Sequence, residues 1–369
     1  MIDLDIKMAE VMIHYSAAVQ AGDTVLLYAT SPVAETMIQA LYQEALRTGA
    51  HAVPYISLRD ETALAMESTD DLELLSSVNP MLETMYAQAD VIIFLAADEN
   101  PRGMSAYPTE KVKAIGKRGN KLRQAMFNRT GKGELRRCSA FYPTNGYAMR
   151  AGMSFLQYKR FFYEGCKLHL ENPISAWKKL AEKQQKWVDY LADKKTIRVQ
   201  GKDVDLTCSI DGRKFINACG HANLPDGEIF TCPVEDSVNG WVHYSFPAYL
   251  RGFEVEDIEL VYKDGKVVEA KAGKNEHVLL DVLSLDEGSK RLGEFAFGTN
   301  YDIKRFSGSI VFDEKIGGTM HTALGMSYKE TGGKNSSEIH WDMICDLRGD
   351  SVATADGEIF YKDGDFIID

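Results

Sequence analysis

Five Asp-Gly dipeptides punctuate this chain, and none lies before residue 195. Asp-Gly is the strongest short-range signal for a tight β-hairpin, because both residues tolerate the left-handed backbone that a two-residue turn needs. Asp211-Gly212, Asp226-Gly227, Asp264-Gly265, Asp356-Gly357 and Asp363-Gly364 therefore predict a second half rich in antiparallel sheet. The first half follows another grammar. Thr24 to Ala29 reads as a buried strand, and Ser31-Pro32 as a helix N-cap with its first turn. A helix then runs to about Arg47, with Met37, Ile38, Leu41, Tyr42 and Ala45 on one face, and Gly49 stops it. Residues 52–57 and 91–96 supply two more strands. Such alternation implies a mostly parallel sheet covered by helices. The expected architecture is an α/β N-terminal domain with a mostly parallel sheet over residues 1–195. An α+β C-terminal domain rich in antiparallel hairpins follows over residues 196–369, and a polar helix near 175–193 links the two. A length of 369 residues suits two cores better than one.

Several function classes are disfavoured at once. With 42 basic and 54 acidic residues the formal charge is −12, which argues against a nucleic-acid-binding surface and repels anionic membranes. The longest clean apolar run, Val91 to Ala97, falls far short of the ~20 residues that cross a bilayer. An acid-bearing N-terminus, Met1-Ile2-Asp3-Leu4-Asp5, does not read as a signal peptide, so the expectation is cytoplasmic. The six cysteines form no CxxC pair and no zinc-finger spacing, and reduced thiols are expected. After the first strand the chain reads Ala29-Thr30-Ser31-Pro32-Val33-Ala34, without GxGxxG, and no GxxxxGK[ST] occurs anywhere. The basic stretch from Lys117 to Arg137 reads as a solvated or interface face.

Residues that carry chemistry concentrate in the second half. His340 and Asp342 sit two apart in a strand-like run, so they project from the same face, as two ligands of one ion or as a hydrogen-bonded pair at a sheet edge. His321 follows Gly317-Gly318, which suggests a turn or close backbone approach, and the residues after it suit the start of a helix. Glu314 is expected at the end of an apolar strand. Glu294 is a lone acid in Gly293-Glu294-Phe295-Ala296-Phe297-Gly298, where burying an unpaired carboxylate is costly. Glu228 follows Asp226-Gly227 directly. Four carboxylates and two imidazoles exceed the needs of one four-coordinate zinc and fit a two-metal site. His243 and His277 read as packing or surface residues.

Four motifs carry a resemblance. They are Leu224-Pro225-Asp226-Gly227-Glu228-Ile229-Phe230-Thr231, Leu292 to Asn300, Phe312 to His321, and Ile339-His340-Trp341-Asp342. Together with Ala21 to Leu26 and Glu44 to Ala50, they resemble the aminopeptidase T and aminopeptidase S family of metallo-aminopeptidases over most of the chain. The resemblance implies two divalent ions (Zn²⁺, Co²⁺ or Mn²⁺) held by Glu228, Glu294, Glu314, His321, His340 and Asp342, with Tyr328 close by. It further implies hydrolysis of the N-terminal bond of short peptides. Glu294 would bridge the ions or pass a proton to the leaving amine, and Tyr328 would donate to the oxyanion. A homodimer is implied as well, to which the aromatic cluster Trp241, Tyr244, Phe246 and Tyr249 adds weak support. Two alternatives stay open. The scaffold also resembles that of a mononuclear non-haem iron dioxygenase acting on dihydroxypyridines, and a peptide-binding protein with a structural ion is the third reading.

Overall fold

In the computed structural model residues 2–250 and 252–368 are described, the side chains of Ile2 and Asp3 excepted. The chain divides into two compact units: 1–174 with 220–225, and 175–219 with 226–369. This differs from a cut at 195/196 in two ways. Helix Pro173–Leu191 places Trp187 and Leu191 in the hydrophobic core of the second unit. Later, 220–225 returns to the first unit, where Asn223–Leu224 pairs with Ser139 and Ala140.

The first unit is built on a five-stranded parallel sheet. Its order is His51–Ile56, Thr24–Ala29, Val91–Ala96, Arg136–Phe141, Asn223–Leu224. Helix-bearing crossovers join the first four strands in sequence, as parallel pairing demands. Ser31 accepts a hydrogen bond from the Val33 amide, capping the turn that leads into helix Glu35–Arg47. That helix buries Met37, Ile38, Leu41 and Ala45, whereas Tyr42 is exposed, a correction to the expected face. Within the basic stretch, Arg129 donates to the carbonyls of Tyr86 and Ala89, and Arg136 pairs with Asp23 at 2.6 Å.

The second unit holds two antiparallel sheets and a short ribbon. Eight strands run in the order Lys266–Lys271, Ile258–Lys263, Asn239–Tyr244, Val204–Ser209, Thr196–Gly201, Val352–Ala355, Glu358–Lys362, Asp365–Phe366. Three of the Asp-Gly dipeptides close hairpins of this sheet: Asp264-Gly265, Asp356-Gly357 and Asp363-Gly364. All six of their residues have φ between +50 and +93°, the signature of type I′ turns. The other two do not make hairpins. Asp211-Gly212 lies in a longer loop, and Asp226-Gly227 leads from a strand of the first unit into a strand of the second.

The other sheet has five strands, in the order His340–Asp346, Thr319–Gly325, Leu292–Gly298, Glu228–Thr231, Ile216–Ala218. Apolar side chains of both sheets join one core, including Val199, Leu206, Val242, Phe295, Phe297 and Met343. The six cysteines are buried. Among the described residues no helix is long and apolar enough to cross a membrane.

Candidate metal centre

Register in the five-stranded sheet decides which side chains meet. Directly opposed residues of an antiparallel pair share a face. Gly298 opposes Glu228; Ala296 opposes both Phe230 and His321; Ala323 opposes both Glu294 and Asp342; Gly325 opposes His340. Glu228, Glu294, His321, His340 and Asp342 therefore rise from one face. Ala296, Gly298, Ala323 and Gly325 share it and leave the room that larger side chains would fill. The opposite face sends Ile229, Phe295, Phe297, Leu324, Trp341 and Met343 into the core.

Glu294 owes its place to a bulge. Leu292 opposes Leu324 and Glu294 opposes Ala323, so two residues on one strand answer to one on the other. The extra residue is Gly293, and a Cβ there would collide with the carbonyls of Gly325 and Met326. Without the bulge, Leu292 and Glu294 would share a face. With it, Leu292 stays in the core and Glu294 turns to the site. The lone acid in an apolar segment is thus explained.

His321 lies on strand Thr319–Gly325, which pairs on both edges, and not at the start of a helix. Glu314 is not at a strand end either. It caps the C-terminus of the short helix Ile310–Asp313, and residues 314–316 then run close over Gly298, where a Cβ would strike the Ile316 carbonyl. Hydrogen bonds from the Asn300 amide to the Lys315 carbonyl (2.9 Å) and from the Gly317 amide to the Asn300 carbonyl (3.0 Å) pin this crossing.

All six expected ligand residues come together. Their donor atoms form three overlapping groups: Glu228, Glu294 and His321; Glu294, His340 and Asp342; Glu314, His321 and Asp342. Within each group the atoms lie within 4.8 Å of one another. Nε2 of His321 stands 3.2 Å from Glu228 and 3.6 Å from Glu294, and Nε2 of His340 stands 3.1 Å from Glu294 and 3.4 Å from Asp342. A carbonyl can only accept, so Nδ1 of His340 donates to Met326 O at 2.7 Å, fixing the ring with Nε2 aimed into the cluster. The Tyr328 ring lies 5.0 Å from the His340 ring and meets Phe230 edge-on.

The electrostatics show a site in demand of cations. Burial pushes the Glu228 carboxyl up to about 8, against the pull of the Lys315 ammonium. Burial acts likewise on Glu294, but its hydrogen bonds and charge interactions with both imidazoles outweigh it and hold that carboxyl at about 2. Burial disfavours a charged His321, yet Glu294, Glu228 and Glu314 overcome it and raise the ring to about 9. His340 is likewise raised well above the usual range, burial being outweighed by Asp342 and Glu294. Both imidazoles thus hold protons where a bound cation would otherwise balance the acids. Glu228 Oε2 and Asp342 Oδ1 are buried and each faces an imidazole Nε2, at 3.2 and 3.4 Å, without a well-aligned hydrogen bond. Oxygen-rich donors with two imidazoles fit divalent transition ions.

A family model described as thermophilic metalloprotease (M29) matches residues 4–366. The chain belongs to that family. The resemblance carried by the four motifs is borne out, and membership brings metal-dependent cleavage of peptide bonds with it. Aminopeptidase 2 of Geobacillus stearothermophilus is 26% identical over 399 residues, covering 95% of this chain and 94% of that protein. The structure of wild-type AmpT from Thermus thermophilus matches with a TM-score of 0.84 at 25% identity, covering 99% of each chain. That of 2,5-dihydroxypyridine dioxygenase from Pseudomonas putida KT2440 matches with a TM-score of 0.57 at 12% identity, covering 100% of this chain and 97% of the other. The latter likeness shows the fold alone.

Two residues of this M29 metalloprotease went unread in the sequence. Lys315 is buried, and its ammonium contacts Glu228 Oε1, Glu314 at 2.7 Å and Asp226 at 3.8 Å. Its signal was a lone base directly after an acid, inside the run from Phe312 to Met320. Gln184, on helix Pro173–Leu191, is fully buried and donates to the carbonyls of Ala218 and Glu228 while accepting from Thr299. Nothing distinguishes it in the sequence from the helix's other polar residues. His243 pairs with Asp203 at 3.2 Å and His277 packs edge-on against Phe253, both away from the cluster.

Proposed function

We propose that this M29 metalloprotease is an aminopeptidase that removes the N-terminal residue of short peptides. Two divalent ions, Zn²⁺, Co²⁺ or Mn²⁺, would be held by Glu228, Glu294, Glu314, His321, His340 and Asp342. The observation that carries this reading is the overlap of the three donor groups, in which Glu294, His321 and Asp342 each belong to two. A single four-coordinate ion has no use for six such residues. Ions bound there supply Lewis acidity and a nucleophile usable at neutral pH.

The chain's own residues do the rest. Glu294 divides its oxygens, Oε1 toward His321 and Oε2 toward His340, which supports a bridging role over a proton shuttle. Tyr328, beside His340 and protonated at neutral pH, donates a hydrogen bond to the oxyanion of the tetrahedral intermediate. Acidic residues of the cluster attract the substrate's free α-ammonium. The fold shared with a dioxygenase leaves chemistry to the site, and three glutamates beside both imidazoles favour hydrolysis over single-iron oxygen chemistry.

Paired substrates test this. Leu-p-nitroanilide is cleaved and its N-acetyl derivative, which lacks the amine's charge, is not. Equal rates on both would sink the aminopeptidase reading. A cytoplasmic homodimer completes the proposal. For the dimer the aromatic cluster now counts less, because Tyr244 is buried with its hydroxyl 2.6 Å from Thr322 Oγ1.

A further inference from the structure

We propose that Lys315 makes the two ion positions unequal, so that one ion is held firmly at His340 and the other is held weakly and exchanges. This rests on the two-ion reading above and adds an order of occupancy to it.

The three donor groups differ in one respect. Glu228 and Glu314 both touch the Lys315 ammonium, and each belongs to a group built around His321. No member of the Glu294, His340 and Asp342 group makes an ion pair with Lys315 among the described residues. An ion at His340 therefore meets carboxylates free of any lysine. An ion at His321 must share Glu228 or Glu314 with a fixed positive charge, and two cations on one carboxylate repel.

Lys315 has nowhere else to go. It is 2% exposed, its carbonyl is tied to Asn300, and its backbone is pressed over Gly298. Withdrawing the ammonium would leave Asp226, Glu228 and Glu314 close together without it, which burial makes costly. The lysine thus keeps the half-empty site folded and limits affinity for the second ion. A residue that tunes ligating groups in this way changes metal affinity by about 10- to 100-fold.

The test is a Zn²⁺ titration of the chelator-stripped, full-length protein against a competing chromogenic chelator, with metal content read by mass spectrometry after dialysis. Wild type is expected to bind two ions with affinities at least about tenfold apart. In Lys315→Met the weaker affinity rises by about 10- to 100-fold and the gap closes. His340→Ala in the wild-type background loses the tight ion and keeps only the weak one, which holds the inference to account even if Lys315→Met fails to fold. Two ions of equal affinity in wild type, or an unchanged gap in folded Lys315→Met, would overturn it. A wild type that saturates at one ion or none contradicts the two-ion reading itself, a distinct outcome.

Discussion

His340 and Tyr328 stand side by side yet separate cleanly as a ligand and a helper. His340 points Nε2 at Glu294 and Asp342, so His340→Ala should lose one of the two ions, the one held there, and activity with it. Tyr328→Phe removes only a hydroxyl; metal content should stay intact while kcat falls by about 10²-fold. Wild-type kcat in that variant would make Tyr328 a packing residue. Protonation offers a second check. In the metal-free protein the carboxylates around His321 raise it to about 9, burial raises Glu228 to about 8, and Asp342 and Glu294 raise His340 well above its usual range, so all three carry protons at pH 7. Ligation requires their removal, so metal binding releases protons and affinity climbs with pH until all three have lost theirs. Glu294, held at about 2, is already charged and contributes none. Calorimetry at pH 7 in buffers of different ionisation enthalpy should show net proton release, and heats independent of buffer would contradict it. At this scale much was legible. The two-residue spacing of His340 and Asp342 fixes a shared face once a strand is granted. Lys315 was not legible, because its partners are brought in from Asp226 and Glu228, far off in sequence.

At the scale of elements, the bulge at Gly293 is the feature on which the site turns. Gly293→Ala would force the strand away from the carbonyls of Gly325 and Met326, at a cost of ~1–3 kcal/mol for overpacking. The strand's simplest relief is to lose the bulge, which rotates Glu294 off the site face. Lower thermal stability together with lost metal is the expected result; a variant that melts lower but keeps full metal content would dissociate the bulge from the site. Strand Thr319–Gly325 was hard to read because all seven of its residues are buried, so no alternation marks it. Glu314 was misplaced for a related reason. Its apolar neighbours lie in a four-residue helix of which only Phe312 and Asp313 are buried, and an apolar run this short does not tell helix from strand. Asp-Gly predicted hairpins wherever both residues adopt positive φ, and failed at Asp211 and Asp226, which do not.

For the whole molecule, the alternating and hairpin-rich halves were plain from periodicity and turn chemistry, but the course of the chain between the units was not. Residues 220–225 are too few to show a period, and only pairing with Ser139 and Ala140 reveals their place. Assembly belongs to this scale too. Light scattering at micromolar concentration should give about twice the 41.2 kDa chain mass, and the chain mass itself would contradict the proposed dimer. The central claim is that this face of the sheet is a metal-dependent aminopeptidase centre. It is tested most directly by following Leu-p-nitroanilide hydrolysis and bound metal together through chelation and refilling. Activity should vanish as the ions are removed by EDTA and return in step with Zn²⁺, Co²⁺ or Mn²⁺. Full activity in a preparation with no bound metal would contradict the account.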